Sequence, residues 1–458
     1  MNSLEDRRRA FADSNVRRFI AFRIFFHARY YYPVFTLLFL DFGLTLEQFA
    51  LLNVVWALTI VIAEVPSGAM ADVLGRRRLM ILGASLMIGE MALLSFMPIG
   101  MPGLTLLFFG LNRILSGLAE AMVSGADEAL AYDTLKDLDL EHCWPDVLER
   151  ATRLTAACMG GVMILGATLY DPSLVNRGLA ALGSDFRVPR EWAMRLPLIL
   201  SLVHAFCALA AAWGTREPNA GRVVSAPGTR LREEVGTALG NIRFAAGWTL
   251  NHRFVLFVII AGVALDSVAR QYIIVHAEYM RLIDIPVAAF GLVAAGFTLL
   301  GMVFATFAKY LVRRFNPVQN LLICSAILLF GLVGVGRGIA LWGLLFVPCI
   351  YAMFTLVAFL QSHYINREVE SRFRATVLSF KGLGLNLALG FASLLYMGLV
   401  ATLRKQADLP EVDPEALHRS IFFGALNAFP AYYLLLLVFV LLGGKLFIRR
   451  KQLCFQRG

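Results

Sequence analysis

Charged residues are scarce in this sequence: Asp, Glu, Lys and Arg together make up 16% of its 458 residues. Soluble domains contain about 25% of these residues. Hydrophobic residues make up 59% of the chain, and the mean hydropathy is +0.69. A core surrounded by water cannot absorb so many apolar side chains. The composition therefore excludes a soluble domain and predicts a polytopic membrane protein.

Several reactive motifs are also absent. There is no Walker loop or other Gly-rich nucleotide cradle, which excludes an ATP-driven pump. There is no HExxH or GxSxG motif, which argues against an intramembrane enzyme. The six cysteines are scattered and show neither CxxC nor metal-like Cys/His spacing. We therefore expect no disulfide, no metal site and no cofactor.

Long apolar runs are what the sequence has in abundance. Twelve of them are each long enough, at about 20 residues, to cross a bilayer as an α-helix, which predicts an all-α fold. They are 19–42, 48–70, 79–97, 104–128, 151–169, 193–213, 254–278, 286–308, 318–336, 340–363, 375–402 and 420–444. The first run is too long for a cleaved signal peptide, so we predict that it is a transmembrane helix.

The distribution of basic residues predicts the orientation of the chain. When Arg153 and Arg195, which lie at segment ends, are counted with the adjoining connections, the two tails and the connections after even-numbered segments carry 28 Lys and Arg, whereas the other connections carry nine. Short basic loops stay on the cytoplasmic side, so both termini are predicted to be cytoplasmic. Topology and contact with anionic lipid then explain the net charge of +10, and no nucleic-acid partner is expected.

The twelve segments fall into two groups of six. The predicted domains are a cytoplasmic tail at 1–18, a six-helix bundle at 19–213, a cytoplasmic linker at 214–253, a second six-helix bundle at 254–444 and a cytoplasmic tail at 445–458. In the linker, apolar residues between Leu231 and Trp248 recur at helical spacing. This pattern predicts an amphipathic helix that lies on the membrane surface.

The connection Gly68–Arg78, between the second and third segments, is the most distinctive stretch of the chain. It combines two glycines, the carboxylate of Asp72 and three consecutive arginines. The glycines permit a tight turn, and Asp72 would suit the positive N-terminal end of a neighbouring helix. The corresponding connection in the second half, Ala308–Arg314, keeps the positive charge but has neither the aspartate nor the glycines.

These features resemble the major facilitator superfamily of transporters, and in topology the resemblance covers nearly the whole chain. Gly68-x3-Asp72-x2-Gly75-Arg76-Arg77-Arg78 is similar to the family signature between helices 2 and 3. Arg113-x2-Ser116-Gly117 is similar to the family's second motif, on helix 4. The resemblance implies two six-helix bundles around a central cavity that opens alternately to each side. Helices 1, 4, 7 and 10 would mainly line that cavity.

Other stretches indicate which branch of the superfamily the sequence resembles. Glu64–Ser67 and Ser124–Asp133 resemble a poorly characterised bacterial branch of the superfamily, which does not fix a substrate. Drug/proton antiporters of the superfamily usually carry a Gly-Pro pair on helix 5. In this chain Cys158–Gly166 contains glycines but no proline, which weakens an assignment as an antiporter.

Five basic side chains lie inside predicted membrane helices, where a charge costs about 2.5–3.5 kcal/mol on insertion scales. Each therefore needs a carboxylate, a water-filled cavity or a substrate. We predict a substrate cavity that contains His27, Arg29, Tyr31, Arg113, Glu120, Asp266, Arg270 and Lys381. The residues Arg113 and Glu120, and likewise Asp266 and Arg270, could instead form pairs that only neutralise each other, and the sequence leaves both possibilities open.

Proton coupling needs an acid that can gain and lose a proton within the membrane. Glu120 and Asp127 lie with Arg113 on one face of predicted helix 4, and Asp266 lies near the middle of predicted helix 7. Acids in such places are natural coupling groups. We therefore predict that Asp266, Glu120 and Asp127 carry proton coupling.

A gate is predicted on the cytoplasmic side, where acidic residues at the end of helix 4 come within reach of the loop arginines. The resemblance implies a latch that holds the two halves together there. Its predicted members are Gly68, Asp72, Gly75, Arg76, Arg77, Glu128, Asp133 and Arg374. The alternative is loose surface pairing worth about 0–1 kcal/mol. A bistable contact between two bundles is what alternating access requires.

Without an ATPase motif, any uphill transport must draw on an ion gradient. The sequence thus predicts a monomeric secondary transporter in the inner (plasma) membrane, coupled to protons and carrying a small molecule. We favour efflux of a small amphiphilic compound or drug over uptake of a small anionic or zwitterionic metabolite. A non-transporting membrane scaffold or receptor is the alternative from another functional class.

Overall fold

The computed structural model describes residues 4–98, 100–218, 230–368, 371–406 and 413–447, and within these residues the chain is helical and has no strand. The helices are α1 (Leu4–Ala12), α2 (Ser14–His27), α3 (Phe35–Asp41), α4 (Leu46–Leu74), α5 (Arg76–Phe96), α6 (Pro102–Val123), α7 (Ala126–Asp137), α8 (Trp144–Tyr170), α9 (Pro172–Ala181), α10 (Arg190–Ala193), α11 (Leu196–Gly214), α12 (Arg230–Asn251), α13 (Arg253–Leu282), α14 (Phe290–Arg314), α15 (Pro317–Gly336), α16 (Val347–Glu368), α17 (Ser371–Gln406) and α18 (Pro414–Phe447). The predicted all-α fold class is confirmed.

Eleven stretches of the described chain are long and apolar enough to cross a membrane. They fall on the second to twelfth predicted segments, so the protein is a multi-pass membrane protein. The first predicted segment, 19–42, is wrong as a continuous helix. α2 ends at His27 and α3 begins at Phe35, after a 3-10 turn at Tyr32–Val34. Pro33 contributes to the break because it has no N–H to donate and disfavours helical geometry in the residue before it.

The distinctive connection between the second and third segments is shorter than the sequence predicts. α4 continues to Leu74, so Gly68 and Asp72 lie within a helix and not in a loop. Among these residues only Gly75 stands outside the helices, and its φ of +96° favours a residue without a side chain. A single glycine therefore makes the turn between α4 and α5.

The predicted extension of the fourth membrane helix forms, but it is a separate helix. α6 ends at Val123 and α7 begins at Ala126, because Gly125 adopts a left-handed φ of +76°. The single polar face predicted from Arg113 to Asp127 is therefore interrupted. In the linker, the predicted amphipathic segment is helical in α12, and its location on the membrane surface stays a prediction.

The helices form two compact units. Unit 1 contains Met1–Leu44, Val55–Leu239 and Val287–Ala295, and unit 2 contains Thr45–Val54, Gly240–Pro286 and Gly296–Gly458. In unit 1, α5 packs against α6 and α11, and α2 packs against α8 and α11. In unit 2, α13 packs against α16, α17 and α18, and 78% of its most apolar stretch is buried. α13 is therefore the central helix of unit 2.

Candidate functional site

The break in the first membrane segment is stabilised by neighbouring helices of unit 1. Tyr30 donates its backbone N–H to the hydroxyl oxygen of Ser201 on α11, at 3.0 Å. Its side-chain hydroxyl lies 3.3 Å from Nε2 of His204, also on α11. Gly166 on α8 leaves room for the Tyr30 carbonyl, with which a Cβ at that position would collide. Irregular backbone at membrane depth requires such partners.

Within this break, Arg29 forms a fully buried ion pair. Its Nη2 lies 2.7 Å from Oε1 of Glu90 on α5, and the two side chains are 1% and 0% exposed. Arg29 also donates from Nη1 to the carbonyl of Phe26 at 2.9 Å, where a cation complements the C-terminal end of α2. Arg29 Nε and Glu90 Oε2 have no hydrogen-bond partner within the described part of the chain.

Arg113 joins the same polar cluster through an amide. Asn112 donates from Nδ2 to the backbone carbonyl of Glu90 at 3.0 Å. Its Oδ1 accepts two hydrogen bonds from Arg113, at 3.1 Å from Nε and 2.8 Å from Nη2. The guanidinium also lies over the rings of Phe35 and Phe39, 5.2 and 5.3 Å from their centroids. Arg113 is therefore held by a neutral partner and by aromatic faces.

The other predicted cavity residues of unit 1 differ in their burial. Tyr31 is buried, whereas His27, the last residue of α2, is half-buried. Glu120 is also half-buried and has no ion-pair or hydrogen-bond partner among the residues that the structure describes. It is not paired with Arg113, so the self-neutralising arrangement considered from the sequence is absent. Glu120 instead interacts electrostatically with Arg29.

The charged cluster of unit 2 lies on α13 and α17. Arg270 Nη2 reaches both carboxylate oxygens of Asp266, at 3.0 and 2.8 Å. The Asp266 side chain is 6% exposed and that of Arg270 is 25% exposed. Lys381 is half-buried and lies close enough to interact electrostatically with Asp266. The cluster therefore contains two cations and one carboxylate.

The arginines after Gly75 bind within unit 1. Arg76 forms an ion pair with Asp133 on α7 and donates to the carbonyl of Ala129 at 3.3 Å. Glu128 is paired with Arg23 of α2 at 2.6 Å, and not with the arginines of the turn as predicted. Arg23 Nε also lies 3.7 Å from Asp127, in the first turn of α7. The side chains of Asp72 and Arg374 lie outside the described part of the structure.

A second partner of these arginines is Glu217, at the start of the linker, which the sequence analysis missed. Its carboxylate accepts hydrogen bonds from the backbone N–H groups of Arg76 and Arg77, at 2.8 and 2.9 Å. These N–H groups belong to the first turn of α5, where an anion is favoured. The Arg77 side chain donates to the carbonyls of Thr215 and Trp213, at 2.7 and 2.9 Å.

The same linker segment is also fixed to α2. The side-chain amide of Asn15 forms two hydrogen bonds with the backbone of Arg216. Its Nδ2 donates to the Arg216 carbonyl at 2.8 Å, and its Oδ1 accepts from the Arg216 N–H at 2.8 Å. Arg18 donates to the carbonyl of Gly214. We call the contacts of Asn15, Arg18, Arg77 and Glu217 the linker clasp. The linker clasp thus joins the residues that follow α11 to the first turn of α5.

A third ionic cluster lies in unit 2, at the end of α13 that the predicted topology places outside. The Glu278 side chain is 0% exposed. Its two oxygens lie 2.7 Å from Arg281 and 2.7 Å from Nε2 of His418 on α18. The carboxylate is buried because α18 packs against α13 and brings His418 to it.

Comparison with known proteins supports this architecture. The chain adopts the major facilitator fold. Solved transporters align with it over nearly their entire length. One is a bacterial homologue of the human lysosomal transporter Spinster, in an inward-facing and unoccupied conformation, with a TM-score of 0.69 and 15% identity over 97% of this chain and 98% of the other.

Two further structures give the same result. The nucleoside transporter NupG aligns with a TM-score of 0.67 and 11% identity, over 94% of this chain and 98% of its own. A D-xylose-proton symporter aligns with a TM-score of 0.62 and 14% identity, over 98% and 99%. No protein-family model and no curated protein matches the sequence. At these identities the likeness establishes the fold, and the substrate must be argued from the site.

Proposed function

We propose that this protein is a secondary transporter that moves a small molecule across the inner membrane by alternating access and is coupled to protons. The observation that carries the proposal is the combination of the major facilitator fold with the cluster of Asp266, Arg270 and Lys381 within the membrane span of α13 and α17. A charge in hydrocarbon is expensive, and ionisable groups in such places mark substrate and proton pathways.

Asp266 is the proposed coupling residue. While it is ionised, it neutralises one of its two cationic neighbours. Protonation removes that carboxylate charge and leaves Arg270 and Lys381 available to an anionic group on a substrate. Binding of the anion and binding of the proton then favour each other, which is the linkage a symporter needs. Glu120 and Asp127 are the proposed coupling residues of unit 1.

The excess of cations in unit 2 favours uptake of a small anionic or zwitterionic metabolite. Arginine binds carboxylate or phosphate in bidentate geometry, and Arg270 is partly exposed and able to do so. Efflux of a small amphiphilic compound, favoured by the sequence, remains the second candidate. It is supported by the aromatic faces around Arg113 and by the unpaired carboxylate of Glu120, which would suit a lipophilic cation.

The test begins with the purified protein in detergent and a panel of dicarboxylates, sugar phosphates, amino acids and lipophilic cations. A compound that binds the folded state raises its thermal stability by mass action. Each hit is then followed in proteoliposomes, with and without a pH gradient. We expect an anionic hit that accumulates only with the gradient. A panel in which every hit is a lipophilic cation would favour the second candidate, and hits that bind but never cross would favour a receptor.

A further inference from the structure

Unit 2 contains a cavity of about 170 Å³ that is separate from its charged cluster. It is bounded by α13, α17 and α18, and neither Asp266, Arg270 nor Lys381 lines it. Ala392 on α17 and Ala428 on α18 leave this space because their side chains are small. An apolar cavity of about 150 Å³ is large enough to bind benzene. The cavity is therefore the size of a single substituted ring.

Two buried polar groups in the wall of this cavity lack partners. Gln271 is 3% exposed, and its Oε1 accepts a hydrogen bond from the Ser393 hydroxyl at 2.7 Å. Its Nε2 has no partner among the described residues. The hydroxyl of Tyr396, which is 2% exposed, also has none. Turning the Gln271 amide over would still leave one of its atoms unpaired.

Unpaired groups of this kind are costly, because they have given up water without gaining a protein partner. Both residues line one cavity, so one ligand in it can offer a partner to each. The remaining walls are apolar or aromatic, and the ring of Phe429 meets the ring of Tyr396 edge-on, with centroids 6.0 Å apart. Leu395, which also lines the cavity, is 42% exposed and marks a route to its surface.

We propose that this cavity binds a small neutral molecule with an apolar ring and one oxygen atom, of the class of phenol. The ring fills the space between Ala392 and Ala428 and packs against Phe429. The oxygen accepts hydrogen bonds from Gln271 Nε2 and the Tyr396 hydroxyl. No charged side chain lines the cavity, so a charged ligand would be left without a counter-ion. This site goes beyond the transport proposal and does not depend on it.

The test compares phenol with toluene, two rings of similar size that differ in the oxygen. The full-length protein is unfolded by heat in detergent with increasing concentrations of each. We expect phenol to stabilise the protein and to bind more tightly than toluene. Gln271→Leu and Tyr396→Phe should each weaken phenol binding by about 3- to 10-fold, the worth of one hydrogen bond, and leave toluene binding unchanged.

A cavity-filling variant provides the second arm. Ala428→Leu should abolish stabilisation by phenol, whereas the matched control Ala431→Leu, at an exposed position of the same helix, should keep it. If Ala428→Leu does not fold, the two polar variants answer the same question. Equal stabilisation by phenol and toluene, or unchanged phenol binding in Gln271→Leu and Tyr396→Phe, would overturn the proposal.

Discussion

The two units use buried charge in different ways. In unit 1, Arg29 and Glu90 form a pair of one cation and one anion, and neither side chain is more than 1% exposed. In unit 2, Asp266 faces two cations, and its partner Arg270 is 25% exposed. The first arrangement is neutral and closed. The second has an excess positive charge and is partly exposed, so the two clusters should respond differently to mutation.

The difference teaches that an intramembrane charge is not by itself evidence of a transport site. Arg29 was predicted to line the substrate cavity, yet it is held by Glu90 and by the C-terminal end of α2. A pair of this kind stabilises an irregular backbone. The cluster around Asp266 retains unsatisfied charge, which is what a coupling site requires.

The largest effect on stability should come from breaking the closed pair. Arg29→Met or Glu90→Met alone leaves a buried charge without a partner and should destabilise the protein by about 3–5 kcal/mol. The double variant Arg29→Met/Glu90→Met should recover most of this loss. Thermal unfolding of the purified proteins measures both. Single variants as stable as the wild type would show that the pair is hydrated and not closed.

Asp266→Asn tests the charged cluster of unit 2. It should abolish accumulation driven by a pH gradient but retain exchange of substrate across proteoliposomes, because the proton site is lost and the cations remain. Its loss of thermal stability should be smaller than that of Glu90→Met, since Arg270 is partly exposed to water. If Asp266→Asn and Glu120→Gln both keep coupled transport, the proposed coupling residues are wrong.

A third, intermediate effect is expected at the linker clasp. Glu217→Gln removes the negative charge that binds the first turn of α5 and should destabilise the protein by about 1–2 kcal/mol. Thermal unfolding again measures the change. Glu90 lies in the same unit, so the two variants can be compared directly. If Glu217→Gln lowered the stability as much as Glu90→Met does, the expected order of these two effects would be wrong.

The smallest effect should be found at an exposed pair of the same unit. Glu149 and Arg153 lie one helical turn apart on α8, 3.1 Å from each other, and their side chains are 63% and 79% exposed. Glu149→Gln should change stability by less than about 0.5 kcal/mol, and added salt should remove even that difference. It is therefore the matched control for Glu217→Gln, and a larger change would mean that removing a charge is harmful wherever it is made.

Local spacing in the sequence predicted much of this structure. Apolar runs located eleven of the membrane helices, and the separation of Asp266 and Arg270 by one helical turn placed them together. Pro33 indicates the break in the first segment, but the run is apolar throughout, so hydropathy alone does not show the break. These features depend on residues that are near each other along the chain.

Contacts between distant segments could not be predicted in this way. Nothing in the spacing of Arg29 and Glu90 connects them, because the pair forms only when α2 and α5 pack in unit 1. The contact between Glu278 and His418 likewise forms only when α13 and α18 pack, and their spacing in the sequence does not indicate it. Glu217 was overlooked because its partners are backbone N–H groups, which carry no sequence signature.

The linker clasp also has a consequence for the order in which the protein is made. α11 ends at Gly214, but the backbone N–H groups at the start of α5 receive their acceptor only when Glu217 follows. During synthesis, the start of α5 therefore lacks this acceptor until residue 217 has been added. A ribosome that paused at Gly214 would hold a first half whose helices had all been translated but whose fold was not yet closed.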